Sequence, residues 1–183
     1  MINKILVAVD RLENNQSIFN TAVSLAQTNN AKLMLLHGLS QTEANYPALL
    51  TYTYYPMMDD REHKTYQKQL EKYRQWELDF LQDLTEKAIA AGIDAEYTQL
   101  TGNPGHTICE LAETWSADLI LVGSRGLKGL KEMFLGSVSN YVTHHAPCSV
   151  LIVRQSINNE SEQTSSKSAK ADGELLTPDL TRN

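Results

Sequence analysis

Apolar residues in the first 154 positions fall into short unbroken runs, separated by stretches in which they recur at helical spacing. Ile5-Leu6-Val7-Ala8-Val9 is continuous, as expected of a strand covered on both faces rather than one with a wet side. After a polar turn, Ile18, Ala22, Leu25 and Ala26 define one face of a helix. Lys32–His37 reads as a second strand and Ala95–Leu100 as a third. Pro104 suits a helical first turn, and Ile108, Leu111 and Ala112 follow on one face. Leu119–Val122 is the fourth strand, Ser137–His145 a helix and Ser149–Val153 the fifth strand. Strands alternating with helices predict an α/β fold: a five-stranded parallel sheet, doubly wound, with helices on both faces. Right-handed crossovers restrict how such units are arranged.

Two segments break the rhythm. Residues 39–61 form a long Tyr/Met-rich insert carrying Tyr46, Tyr52, Tyr54, Tyr55, Met57 and Met58, a composition that suits a lid, an interface or a mobile loop. It leads into a charged helical stretch, Glu62–Ala91, too long to lie wholly over a small sheet, so part of it should project. Residues 155–183 are rich in Ser, Glu, Asn and Lys and read as a disordered polar tail. The remaining 1–154 suit one domain with a core of its own.

Composition narrows the function. A net charge of −6 argues against a nucleic-acid surface. Cys109 and Cys148 form no CxxC pair and fit space-filling thiols of a reducing compartment. The apolar run ending at Asp10 is short for a secretory signal, and no run approaches the roughly 20 residues of a membrane span. The expectation is a cytoplasmic protein, with neither nucleic acid nor membrane as partner.

The fourth strand runs directly into Gly123-Ser124-Arg125-Gly126, and after nine further residues comes Gly136-Ser137. Glycines allow backbone N–H groups to approach an anion without a Cβ in the way. Gly136-Ser137 adds a helix N-terminus, where free N–H groups and the helix dipole favour phosphate. Asp10 ends the first strand. If strands one and four are neighbours where the strand order reverses, Asp10 and the glycine loop share one crevice. A carboxylate there suits a ribose hydroxyl or a metal ion beside phosphates, although it equally suits a helix N-cap. Arg125 would strengthen phosphate binding through its planar fork, or sit as a solvated loop charge. Ser139 either touches phosphate or simply occupies the first helical turn. His144 and His145, adjacent on a helix, point to different faces and fit the helix C-terminal dipole better than a metal. His37 reads as structural, and His106 as an exposed first-turn residue.

These residues together resemble the universal stress protein family, specifically its ATP-binding subgroup, over residues 1 to about 154. The likeness rests on Ile5-Leu6-Val7-Ala8-Val9-Asp10, Leu35-Leu36-His37, Gly102-Asn103-Pro104 and the whole of Gly123 to Val138. The resemblance implies strand order 3-2-1-4-5, a homodimer seamed by Ser149–Val153, and binding of ATP or another adenine nucleotide with Mg. It implies adenine near Ala8, Val9 and the end of strand two at Gly38, and Asp10 at ribose or metal. Gly123, Ser124, Arg125, Gly126, Gly136, Ser137 and Val138 would then hold ribose and phosphates, with Val122 also among the nucleotide-binding residues. Gly38 stands where relatives often carry Val, so the base pocket should be looser. The implied function is a nucleotide-dependent dimeric switch in the stress response, with no catalytic residue assigned. No general base is evident for a γ-phosphate, so any ATPase or self-phosphorylation activity should be weak. The alternatives are a slow ATPase, or a nucleotide-free dimeric scaffold working through residues 39–61.

Overall fold

A computed structural model describes residues 1–11, 15–39, 47, 59–124 and 135–154. The elements run β1 (Lys4–Ala8), α1 (Asn15–Asn29), β2 (Lys32–Leu39), α2 (Asp60–Ala90), β3 (Ala95–Thr101), α3 (Pro104–Thr114), β4 (Leu119–Gly123), α4 (Ser137–His145) and β5 (Ser149–Val153). The strands form one five-stranded sheet in the order β3-β2-β1-β4-β5, every pair parallel. This is the expected α/β architecture and the expected order. Arg125 and Gly126, most of the 39–61 insert and the whole 155–183 tail lie outside the described residues.

Alternation along the central strands divides the core in two. Ile5, Val7, Leu33, Leu35, Leu119 and Leu121 pack with Ile18, Phe19 and Ala22 of α1 and Leu81, Leu84 and Ala88 of α2. Leu6, Met34, Leu36, Ile120 and Val122 pack on the other face with Ile108 and Ala112 of α3 and Val142 of α4. The apolar runs are continuous because both faces of these strands are buried.

Three helices end with the same device. Asn30, Gly92 and Ser116 adopt positive φ (52°, 84° and 58°). The next residues, Ala31, Ile93 and Ala117, donate back to the carbonyls of Ala26, Ala88 and Ala112 at 2.8–3.1 Å. Those three residues are themselves buried. Each helix stop is thus stitched by one hydrogen bond and one apolar contact, sending the chain into the next strand. The helix starts differ. Asp59 and Glu62 form a capping box on α2, and Asn103 caps α3 ahead of Pro104. Gly136 precedes α4 with no side-chain cap.

At 1.5 Å per residue, α2 is about 45 Å long, and its buried positions begin only at Tyr73. Its first turns therefore contribute nothing to the core, in line with a helix that outruns the sheet. Among the described residues, no helix is long and apolar enough to cross a membrane.

Candidate functional site

From β1, the chain crosses to β2 on one side of the sheet, while β4 lies on the other. The strand order therefore reverses between β1 and β4, and beyond their carboxyl ends a doubly wound sheet leaves a crevice. Pairing between the two strands runs from Ile5↔Leu119 to Val7↔Leu121. Beyond it stand Val9 and Asp10 on one side, and Val122, Gly123 and Ser124 on the other. Asp10 is half-buried, and its N–H donates to Asn15 Oδ1 at 3.1 Å. Asn15 thereby fixes the carboxylate-bearing residue against the first turn of α1.

Two helices meet at Gly123, one from each face. A Cβ built on it would lie 2.7 Å from Ile18 Cδ1 of α1, closer than packed carbon atoms approach. From the opposite face, Ser139 of α4, only 3% exposed, donates its hydroxyl to the Gly123 carbonyl at 2.5 Å. Ser139 is thus a brace between α4 and β4. A side chain at Gly123 would therefore press on the flexible end of Ile18 in α1.

Ser124 needs a narrower role than a backbone donor. Its N–H bonds to the Val153 carbonyl at 2.9 Å, continuing the β4–β5 ladder, so that donor is not available to a ligand. Val9 and Val122 are 4% and 2% exposed, their side chains committed to the two cores. They can offer a ligand backbone atoms but no side-chain surface, and the Val9 N–H is already bonded to the Leu36 carbonyl.

The α3–α4 face carries the small residues. Ala8 is half-buried, and Gly38 lies where an added Cβ would come 3.6 Å from Pro104 Cβ at the start of α3. Gly136 and Ser137 begin α4, with Val138 partly buried against the core below. Helices α3 and α4 approach closely because Gly105 leaves room for Tyr141; a Cβ there would sit 2.8 Å from the ring. Both helix N-termini consequently face the carboxyl end of the sheet, and among the described residues no side chain caps the α4 terminus. Such an end attracts negative charge through its free N–H groups and dipole.

A second polar cluster lies on the α1–α2 side, and sequence reasoning missed it. Glu77 of α2 is 3% exposed; its Oε2 lies 3.5 Å from Arg11 Nε and 3.6 Å from His37 Nε2. His37, expected to be structural, is buried with its Nε2 facing the Glu77 carboxylate. The available signal was the stripe Tyr73–Glu77–Leu81–Leu84, which sets a carboxylate on the apolar face of α2.

The histidines and cysteines take structural places. His145 Nδ1 lies 2.8 Å from the Tyr141 carbonyl, and its ring stacks on Tyr141 at 4.0 Å. His106 is exposed beside Glu110. Cys109 and Cys148 are free and half-buried against the α3–α4 core. Burial pushes both thiols up, and Asp118 adds to the effect on Cys148, so neither is primed as a nucleophile.

A parallel doubly wound sheet with a glycine-edged crevice at its switch point defines a class of α/β folds whose ligand sites lie at strand ends. Within that class the chain belongs to the universal stress protein family, whose model, described as "Universal stress protein family", matches residues 1–154. It is 37% identical over 154 residues to universal stress protein Sll1388 of Synechocystis, an alignment covering 82% of this chain and 97% of that protein. Among solved structures it resembles universal stress protein UspA from Lactobacillus plantarum, with TM-score 0.66 and 26% identity over 84% of this chain and 98% of that one. It also shares its fold with a universal stress protein solved in complex with cAMP (TM-score 0.56, 24% identity, 85% of this chain and 98% of that one).

Proposed function

We propose that this protein binds an adenine nucleotide, with ATP as the first choice, in the crevice between the ends of β1 and β4. It acts there as a regulatory switch of the stress response. The observation that carries the reading is the convergence at one switch point of Asp10, Gly123 and the uncapped start of α4. Family membership supports it, and a protein of the same fold binds cAMP. Phosphates lie against the Gly136–Ser137 N-terminus, with Val138 beneath, and reach Gly123 and the Ser124 hydroxyl; the sequence pattern assigns Arg125 and Gly126, which lie outside the described residues, to the same phosphates. The base lies toward Ala8, Val9, Gly38 and Val122, where the sheet presents small side chains and backbone.

Asp10 serves the ribose or a Mg ion. Mg ordinarily takes one or two carboxylates, with phosphate oxygens and water completing its shell. Among the described residues Asp10 is the crevice carboxylate, which fits a metal that arrives with the nucleotide. Among the described residues no group of three or more His, Cys, Asp or Glu could hold a metal by itself.

The switch works as a cytoplasmic homodimer. Edge strand β5 carries Val150, Leu151, Ile152 and Val153, and Leu151 is 37% exposed. An apolar edge with unpaired backbone groups is a template for a second copy.

The test is to denature freshly purified protein and identify the released nucleotide by mass spectrometry, then titrate the emptied protein with ATP and Mg by calorimetry. An adenine nucleotide near one per chain supports the reading. No released nucleotide and no heat of binding would move the function to a nucleotide-free scaffold.

A further inference from the structure

Arg11 follows Asp10 directly, yet its side chain belongs to a different part of the molecule. The guanidinium lies 3.6 Å over the Trp76 ring centroid and 4.9 Å from that of Phe80. Its Nη2 donates to the Trp76 carbonyl at 2.6 Å, and its Nε faces Glu77 Oε2 at 3.5 Å. One residue after the crevice carboxylate, the chain is therefore clamped to α2 by an aromatic face, a carbonyl and a buried carboxylate. Trp76 is nonetheless 42% exposed, and with Tyr73 and Lys72 it lines an open depression of about 490 Å³ on the outer part of α2.

We infer that Arg11 is a latch coupling nucleotide binding at Asp10 to the Trp76 surface of α2. The inference rests on the nucleotide reading and names how that site is regulated. A guanidinium stacked on indole and paired with a carboxylate is held by the same charge that a polyphosphate attracts. Phosphates beside Asp10 compete with Trp76 and Glu77 for Arg11. The latched arrangement is thus the nucleotide-poor state, and release of Arg11 uncovers the Trp76 ring. Thermodynamic reciprocity then requires that loosening the latch on α2 tightens nucleotide binding at the crevice.

This reciprocity gives a test that structural damage does not imitate. ATP–Mg affinity is measured by calorimetry for the wild type, Trp76→Ala, Arg11→Gln and the double variant. Trp76→Ala should bind about fivefold more tightly, a typical coupling factor, and the same substitution in the Arg11→Gln background should change nothing. A Trp76→Ala protein of wild-type circular dichroism whose affinity is unchanged or weaker overturns the latch. A wild type that binds no nucleotide overturns the nucleotide reading itself, so the two failures are distinguishable. The intact protein supplies a second readout. Acrylamide quenching of Trp76, isolated by subtracting a Trp76→Phe variant that retains Trp115, should rise on saturation with ATP–Mg. Quenching that stays constant while calorimetry records binding also overturns the latch.

Discussion

The two ends of the sheet are built in opposite ways. At the amino ends of the strands, polar groups satisfy one another. Asp118, just before β4, accepts the N–H groups of Asn3 and Lys4 at 2.7 and 3.0 Å. Lys4 Nζ donates to the Trp115 carbonyl at 3.0 Å and lies 5.2 Å from its ring centroid. Trp115 Nε1 donates to Glu96 at 2.9 Å, and Lys32 pairs with Glu96 and Asp94 at 3.3 and 3.7 Å. This belt joins the starts of four strands. At the carboxyl ends of β1 and β4, on the α3–α4 face, the described residues instead include glycines, small side chains and a helix start without a side-chain cap. One end uses its polar groups to hold strands in register, and the other carries the crevice proposed above as the nucleotide site. The contrast is what a doubly wound sheet with a binding site at its switch point should show.

The sharpest way to break the contrast is at the open end. Gly136→Val sets a branched side chain at the start of α4, where the proposed nucleotide would place its phosphates. Losing two charge-assisted hydrogen bonds, at about 1.5–3 kcal/mol each, should weaken ATP binding at least about a hundredfold. Helicity should be unchanged, because Gly136 has φ of −58°, which any residue adopts. Calorimetry beside far-ultraviolet circular dichroism checks both; wild-type affinity would remove the α4 terminus from the site.

Next in size is Glu77→Ala, which removes the carboxylate shared by Arg11 and His37. Deleting the carboxylate leaves the polar groups facing it without that partner, which costs about 1–3 kcal/mol, and urea denaturation should register most of it. A loss below about 1 kcal/mol, the usual size for a surface ion pair, would mean that the cluster is effectively solvated.

The fold was legible because its signals are local. β1, β2 and β4 are apolar runs, and the glycines after β4 announce themselves in any reading of the chain. What stayed hidden depends on partners distant in sequence. β2 continues through Gly38 and Leu39, which looked like a strand end, because β3 pairs with them as Leu100 and Thr101. Ser124 resembled a loop donor until the parallel ladder with β5 claimed its N–H. Ser139, weighed between phosphate contact and a plain helical turn, braces Gly123 instead. Glu77 sits in a stretch of charged residues, and only the fold brings Arg11 and His37 to it. The capping box Asp59–Glu62, by contrast, was readable and moves the start of α2 ahead of Glu62.

A smaller effect separates the two demands on Gly123. Gly123→Ala directs a methyl at Ile18 Cδ1, the end of a flexible side chain, so the overpacking should cost only about 1 kcal/mol. Ile18→Val deletes that methyl, and the double variant should recover most of the stability lost by Gly123→Ala. If ATP affinity recovers with it, packing against α1 accounts for the glycine. If stability recovers and affinity does not, the ligand needs the bare backbone as well. Thermal melts and calorimetry on the three variants make the distinction.

The least change is expected at the closed end, and its pH dependence tests the contrast from that side. The N–H groups of Asn3 and Lys4 hold the Asp118 carboxyl below its ordinary value of 3.8. A carboxyl depressed by folding contributes stability that is present above the unfolded value and is lost as pH falls through the folded one. Asp118→Ala should therefore lower Tm slightly at pH 7, while the gap between variant and wild type narrows below about pH 3.8. ATP affinity should not change, since Asp118 lies at the opposite end of β4 from Gly123. A Tm gap constant from pH 7 to pH 3 would mean that the carboxylate acts by shape rather than by charge. A change in affinity would mean that the two ends communicate along β4, and the division of labour between them would fail.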